Sequence, residues 1–346
     1  MATVGVDMGG TKCLGIALVD GHTAAESRLP TPRGEKALLD TVSTLVESLA
    51  AEVGERVTAL GVGVPGLVDR DGVLRFAPNL PGVTGWPVRS DLEEAMGVPV
   101  RVDNDATCAA WGERQLGAAH GFDEVVLVTL GTGIGGGIVA GGRIHRGANG
   151  FAGEVGHMVV DPHGPPCPCG QRGCWERFAS GSGLGRLARE AAEAGKADRV
   201  VALAGGDPES VRGEHVSAAI AEGDAEACRI MDSFAWWLAL GLVNLTNIFD
   251  PQAFVIGGGL VAAGPALFDP AREAFADLIA GRDFRPPVPI LPADLGPQAG
   301  AIGAAFLALA HEQEQGPERP SERSGGPERP SEREITGPER PSEREA

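Results

Sequence analysis

The sequence has few basic side chains and no long apolar run. It carries 29 lysine and arginine residues against 47 aspartate and glutamate residues, a net charge of -18. Such a charge repels phosphate backbones and anionic lipid surfaces, which disfavours nucleic acid and membrane partners. No run reaches the roughly 18 apolar residues of a membrane span, and the opening MATVGVDMGG lacks the basic and apolar regions of a secretory signal. We therefore expect a cytoplasmic protein.

The chain is long enough for more than one globular unit. Its 346 residues are 43% hydrophobic, which favours two units with sizeable cores. The last part repeats GPERPSER from Gly316, Gly326 and Gly337 and is almost free of apolar residues. That composition cannot offset the entropy of ordering, so it predicts a disordered tail over 312–346, with a docking sequence as the alternative. The folded part should end in a helix near His311.

Three glycine clusters each follow an apolar strand. They are DMGGTK at 7–12, GTGIGGG at 131–137 and GGGL at 257–260. Glycine lets backbone N–H groups approach an anion closely, so the clusters are typical of nucleotide-phosphate turns. The second cluster matches G-x-G-x-x-G, but a further strand follows it where a dinucleotide fold requires a helix. Any one cluster alone could be only a tight turn.

An acidic motif, VDNDA at 102–106, ends another apolar strand. A carboxylate there can accept the proton of an attacking hydroxyl, which is what phosphoryl transfer asks of a side chain. The alternative is that Asp105 caps the helix predicted from Ala106 to about Leu116. The motif by itself favours the cap.

Three cysteines, Cys167, Cys169 and Cys174, lie within eight positions, with His157 and His163 nearby. In a reducing compartment such a cluster is more often a metal site than a disulfide framework. The remaining cysteines, Cys13, Cys108 and Cys228, stand on apolar segments and are expected to be buried.

In order and spacing, the motifs VDMGGTK, LGTGIGGGI and VIGGGL resemble those of the actin-like sugar kinases, and more narrowly those of the ROK family, over about residues 3–310. That family groups bacterial sugar kinases, glucokinases among them, with sugar-responsive repressors. The resemblance implies an α/β, two-lobed actin-like ATPase (ribonuclease H-like) fold with the nucleotide in the interdomain cleft. A small lobe would span 1–116, completed by a helix at about 298–311, and a large lobe 117–297 with a zinc loop at 157–174.

The resemblance also implies which residues hold ATP. Asp7 would lie near Mg²⁺, and the remaining nucleotide contacts would come from the three glycine turns. Those contacts are Gly9, Gly10, Thr11, Lys12, Thr132, Gly133, Gly257, Gly258 and Gly259.

On the sugar side, the resemblance makes Asp105 the catalytic base. The other sugar contacts it implies are Gly66, Asn79, Asn104, Glu154, His157 and Glu176. The signatures E-x-G-H and C-x-C-G-x-x-G-C-x-E further imply a structural Zn²⁺ held by His157, Cys167, Cys169 and Cys174, which leaves His163 in solvent.

The function implied is ATP-dependent phosphorylation of glucose to glucose 6-phosphate by a homodimer or homotetramer. N-acetylmannosamine, allose or fructose as acceptor, or polyphosphate as donor, are alternatives that the motifs do not separate. A non-catalytic repressor is disfavoured because the first phosphate strand begins at Thr3, ahead of which a helix-turn-helix would be needed, and because the chain is acidic.

Overall fold

The computed structural model describes residues 1–80 and 82–314, with side chains up to residue 310. The repeats at 316–346, and with them most of the predicted tail, lie outside the described residues. The last helix runs to Glu314, three residues beyond its predicted end. Its final residues, His-Glu-Gln-Glu, include strong helix formers, which is why polarity alone was a poor stop signal.

The first half of the chain builds a five-stranded sheet with the order β3-β2-β1-β4-β7. An antiparallel meander, β1 to β3, is extended by two strands parallel to β1. A small hairpin, β5 with β6, lies between them in sequence. The strands are β1 Ala2–Met8, β2 Lys12–Val19, β3 His22–Pro30, β4 Val57–Val64, β5 Leu67–Val68, β6 Leu74–Phe76 and β7 Val100–Asn104.

The second sheet repeats this plan with the order β10-β9-β8-β11-β12. Its first three strands are antiparallel, and β11 and β12 run parallel to β8. The strands are β8 Val125–Leu130, β9 Ile134–Ala140, β10 Arg143–Ile144, β11 Ala253–Gly257 and β12 Ile290–Pro292. In both sheets a glycine turn joins the first two strands, as predicted.

Ten α-helices accompany the sheets within the described residues. They are α1 Glu35–Val53, α2 Val88–Met96, α3 Asp105–Leu116, α4 Glu176–Ala179, α5 Gly181–Glu193, α6 Asp198–Leu203, α7 Gly213–Ala221, α8 Ala225–Phe249, α9 Pro265–Leu278 and α10 Ala299–Glu314. None of these helices combines the length and the apolarity that crossing a bilayer requires.

The last helix, α10, packs directly on the first sheet through glycines. A Cβ at Gly5 of β1 would lie 1.9 Å from the carbonyl oxygen of Ala301, and one at Gly61 of β4 would lie 1.8 Å from that of Ala304. Only glycine allows a helix backbone so close to a strand. The C-terminal helix therefore packs against the sheet built by the first half of the chain.

Candidate active site

The proposed catalytic base lies where β7 passes into α3. Asn104 caps the helix: its Oδ1 accepts the N–H groups of Ala106 at 2.9 Å and Thr107 at 3.1 Å. Its Nδ2 donates to the carbonyl oxygen of Gly66 at 3.2 Å. The alternative that Asp105 is the cap is therefore wrong, because its neighbour holds that position. Asp105 is the first residue of α3, and its Oδ1 accepts the Ala106 N–H at 2.8 Å.

Asp105 at this junction and Asp7 on β1 both have raised pKa values. Burial raises the pKa of Asp105 to about 6, assisted by the negative charge of Glu154 and opposed by the Ala106 N–H. Burial also raises the pKa of Asp7 to about 7, with a contribution from the charge of Asp105, while Lys12 acts in the opposite direction. Carboxylates crowded in this way favour a bound cation between or beside them.

The first glycine turn, between β1 and β2, carries the exposed residues Gly10, Thr11 and Lys12. The N–H of Gly9 donates to the Lys12 carbonyl oxygen at 3.0 Å, and the Thr31 hydroxyl donates to the Gly9 carbonyl oxygen at 2.6 Å. These bonds fix the turn while leaving its outer N–H groups free for an anion. Asp7 and Lys12 thus lie on the two sides of one turn.

This turn also approaches the predicted sugar contact Asn79. A Cβ at Gly10 would lie 3.5 Å from the Asn79 carbonyl oxygen and 3.7 Å from its Cβ. A predicted phosphate contact and a predicted sugar contact are therefore neighbours.

The second glycine turn, between β8 and β9, is held by backbone bonds alone. The Gly131 N–H donates to the Gly133 carbonyl oxygen at 3.0 Å, and the Gly181 N–H donates to the Gly131 carbonyl oxygen at 2.8 Å. Thr132 is exposed at its tip. A Cβ at Gly133 would lie 2.7 Å from Oε2 of Glu176, so this turn also touches a predicted sugar contact.

The third glycine cluster follows β11 and lies against the end of β8. Gly258 has a φ of +87°, and a Cβ there would be 2.4 Å from the Leu130 carbonyl oxygen. Gly257 faces Thr129, and Gly259 has open space around it. The two nucleotide motifs of the second half, 131–133 and 257–259, therefore meet at one edge of the second sheet.

The cysteine cluster brings four ligand atoms together. One atom from each of His157, Cys167, Cys169 and Cys174 lies within 4.8 Å of the other three. The Cys169 and Cys174 sulfurs are 3.6 Å apart, and Nδ1 of His157 is 3.8 Å from the Cys167 sulfur. A tetrahedron with Zn–S bonds of about 2.3 Å has edges of about 3.8 Å. Three thiolates and an imidazole at these separations fit Zn²⁺, and His163 is exposed and outside the group.

The candidate zinc-ligand loop, residues 157–174, joins two parts of the candidate sugar site. Its ends are paired by backbone bonds: the Val160 N–H donates to the Gly173 carbonyl oxygen at 2.9 Å, and the Trp175 N–H to the Met158 carbonyl oxygen at 2.8 Å. Before the loop, Nε2 of His157 lies 3.8 Å from Oε2 of Glu154. After it, Glu176 receives a 3.2 Å contact from the Cys167 sulfur through Oε1. Nδ1 of His157 thus faces the sulfurs while Nε2 faces a carboxylate.

Comparison with known proteins places this geometry in a family. The family model described as "ROK family" matches residues 3–311. The chain belongs to the ROK family. The resemblance read from the glycine motifs is confirmed, and with it the α/β, two-lobed actin-like ATPase fold.

Two of the chain's relatives are sugar kinases. The chain is 40% identical over 313 residues to a glucokinase of Streptomyces coelicolor, covering 88% of this chain and 97% of the relative. It is 34% identical over 319 residues to an N-acetylmannosamine kinase of Escherichia coli O127:H6, covering 89% and 98%. Among solved structures, a ROK family glucokinase of Streptomyces griseus in complex with glucose and AMPPNP matches with a TM-score of 0.78 and 38% identity, covering 90% of this chain and all of that one.

Two buried acidic residues of this ROK protein were not singled out by sequence reasoning. Asp103 is buried and accepts Nε of Arg146 at 2.6 Å, which ties β7 to the segment after β10. Glu113 is fully buried in α3 and accepts three backbone N–H groups, those of Ala118, Asp294 and Leu295. Asp103 lies in the acidic motif VDNDA. Nothing in the sequence indicates the contacts of Arg146 or Glu113.

The three cysteines outside the cluster differ in solvent exposure. Cys13 and Cys108 are buried as predicted, but Cys228 is exposed. On α8 the neighbouring positions 227, 230 and 231 face the core, so the helical period places Cys228 on the outer face. The apolar character of the segment as a whole concealed this.

Proposed function

We propose that the protein transfers the γ-phosphoryl group of ATP to the 6-hydroxyl of glucose, giving ADP and glucose 6-phosphate, with Asp105 as the base. The observation that carries the proposal is the position of Asp105: a half-buried carboxylate with a raised pKa, beside Asp7 and Asn104 and within the electrostatic influence of Glu154. Glucokinase relatives at this level of identity support the same reaction.

The base acts on the attacking hydroxyl. A pKa of about 6 leaves Asp105 mostly ionised at neutral pH, yet makes it a better proton acceptor than an ordinary aspartate. Removing the proton as the hydroxyl attacks phosphorus frees the oxygen lone pair for the new P–O bond, while the bond to the β-phosphate oxygen breaks. Asn104 caps α3 and so fixes the position of Asp105, the first residue of that helix, next to the sugar.

The glycine turns act on the phosphates. Backbone N–H groups of the turns at 9–12 and 131–133, with the Lys12 ammonium, would neutralise charge on ATP, and Gly257 to Gly259 would border the adenosine. Asp7 is the residue that would hold Mg²⁺, since its crowded carboxylate suits a hard cation. The metal supplies charge neutralisation at the transferred phosphoryl group when bound.

The zinc-ligand loop acts on the sugar. Zn²⁺ at His157 and the three cysteines would be structural, because four protein ligands leave no position for a reactive water. Its ligand His157 presents the second ring nitrogen beside Glu154, and Glu176 follows the last ligand by two residues. These three side chains, with Asn79 and the backbone at Gly66, would fix the sugar hydroxyls by charge-assisted hydrogen bonds.

The acceptor and the donor are tested together. ADP release is measured with ATP against glucose, N-acetylmannosamine, allose and fructose, and glucose 6-phosphate formation is measured with polyphosphate as donor. We expect the highest kcat/KM for glucose with ATP. A higher kcat/KM for N-acetylmannosamine, the substrate named for one relative, or with polyphosphate as donor would contradict the proposal. No turnover with any combination of sugar and donor would favour the alternative of a non-catalytic repressor.

A further inference from the structure

One polar cavity is lined by residues outside the candidate active site. It has a volume of about 400 Å³ and lies between the edge strand β7, the hairpin β5–β6, the region of β10, and helices α3 and α10. Five arginines line it: Arg70, Arg89, Arg101, Arg143 and Arg146. None of the predicted sugar, nucleotide or zinc contacts lines it. In a chain with a net charge of -18, this concentration of guanidinium groups is unexpected.

Of the two acidic side chains on the cavity wall, one pairs with a lining arginine and the other with an arginine outside the lining. Asp69 is paired with Arg75 at 2.6 Å and accepts the backbone N–H groups of Asp71 and Val73. Asp103 is paired with Arg146 at 2.6 Å. Both carboxylates are therefore already engaged.

Three of the lining arginines have no carboxylate partner among the side chains that the structure describes. Arg70 donates through Nε to the carbonyl oxygen of Gly147 at 3.1 Å, and Arg89 donates through Nη2 to the carbonyl oxygen of Arg70 at 2.6 Å. Arg143, on β10, makes no side-chain hydrogen bond or ion pair with the described side chains. Positive charges held together without a counter-charge repel one another and attract anions.

The wall also contains two buried N–H donors, Nε of Arg89 and Nε1 of Trp111, that have no acceptor within the described part of the chain. Buried donors in folded proteins are nearly always hydrogen-bonded, so each indicates a missing acceptor. Ile144, Leu307 and the indole of Trp111 add an apolar side to the same cavity. A ligand with anionic oxygens and a small organic part would satisfy both sides.

We propose that this cavity binds a small phosphate-bearing molecule, as a site separate from the catalytic one. Guanidinium groups pair with phosphate oxygens in a bidentate manner, and the volume lies within the usual range of small-molecule sites. Free phosphate and a phosphate ester share this chemistry, and the apolar wall favours the ester. The proposal does not depend on which reaction the protein catalyses.

The test is calorimetric titration at constant ionic strength, with the catalytic site filled by glucose and AMPPNP in excess Mg²⁺. Orthophosphate, pyrophosphate and glucose 6-phosphate are the probes, and their ranking separates the free anion from the ester. We expect one site per chain, and at least tenfold weaker binding in Arg70→Gln/Arg143→Gln. The matched control, Arg56→Gln/Arg282→Gln, changes net charge equally at exposed positions outside the cavity and should bind as the native protein does.

The single variant Arg143→Gln guards against loss of folding, because its side chain has no described partner to lose. It should weaken binding measurably while leaving the melting temperature unchanged. Absence of binding by all three probes in the native protein would overturn the proposal, and so would equal weakening in the control pair.

Discussion

The first and second glycine turns occupy equivalent places in two sheets of the same topology, yet the charged side chains around them differ. The turn between β1 and β2 is flanked by Asp7 and Lys12, and the neighbouring strand β7 leads into Asp105. The turn between β8 and β9 has no charged residue from 131 to 137, and the acidic group beside it, Glu176, comes from after the zinc-ligand loop. In the proposed function, the first half would supply the base and the cation-binding carboxylate, whereas the second half would supply a turn without charged side chains and the part of the sugar site next to the cysteine cluster.

The largest expected effect comes from a substitution at Asp105, beside the charged first turn. Asp105→Asn should lower kcat by about 10²-fold or more, because the attacking hydroxyl loses its base, while the dissociation constant of glucose changes little. Steady-state kinetics and a glucose titration check this. Asp20→Asn is the control, since Asp20 has a φ of +52° that asparagine also tolerates. Near-native turnover in Asp105→Asn would remove Asp105 from the chemistry.

The second-largest effect tests whether the cysteine cluster supports sugar binding without supporting nucleotide binding. Cys169→Ala should remove one zinc per chain and weaken glucose binding by about tenfold or more, because the loop that holds His157 and Glu176 loosens. AMPPNP affinity should persist, and the protein should stay folded because the metal is not its main source of stability. Elemental analysis and titrations measure this, with the exposed Cys228→Ala as control. Native protein without zinc, or equal loss of both affinities, would contradict the division.

A smaller effect tests the neutral turn. Gly133→Ala should raise the dissociation constant of glucose several-fold in the absence of nucleotide, since the new methyl group would lie 2.7 Å from Oε2 of Glu176. Gly131→Ala is the matched control: its Cβ meets nothing within 4 Å, so glucose affinity should not change. Equal behaviour of the two variants would mean that the turn does not reach the sugar site.

The smallest effect concerns stability. The pKa of Asp105 is raised in the folded state, to about 6 from 3.8, so its ionisation opposes folding, and that cost is fully present only above about pH 6. Asp105→Asn should therefore stabilise the fold by about 3 kcal/mol at pH 8, which is several degrees in Tm, and by little near pH 4. Thermal denaturation at both pH values measures the difference. A gain in Tm that does not depend on pH would show that charge is not its cause.

The sequence was sufficient for features set by local pattern. Strand, glycine turn and strand could be predicted twice because apolar runs and glycines are contiguous in the chain. The grouping of His157 with the three cysteines could be predicted because the cysteines lie close together in sequence, and the structure brings the four ligand atoms within 4.8 Å of one another. Long-range partners were not predictable: Arg146 reaches Asp103 across 43 positions, and Glu113 binds N–H groups more than 180 positions away. Asn104 stays a predicted sugar contact, and its role as the helix cap depends on backbone angles that VDNDA does not specify.

The glycine contacts of α10 have a consequence for the order of folding during synthesis. Gly5 and Gly61 leave a groove in the first sheet that α10 fills, and α10 is synthesised after every other helix and strand of the described residues. At about 5–20 residues per second, the groove waits on the order of ten seconds or more after β4 has emerged. In this chain the domain that begins first is closed last, so the first sheet is open to aggregation and to chaperones for almost the whole of translation.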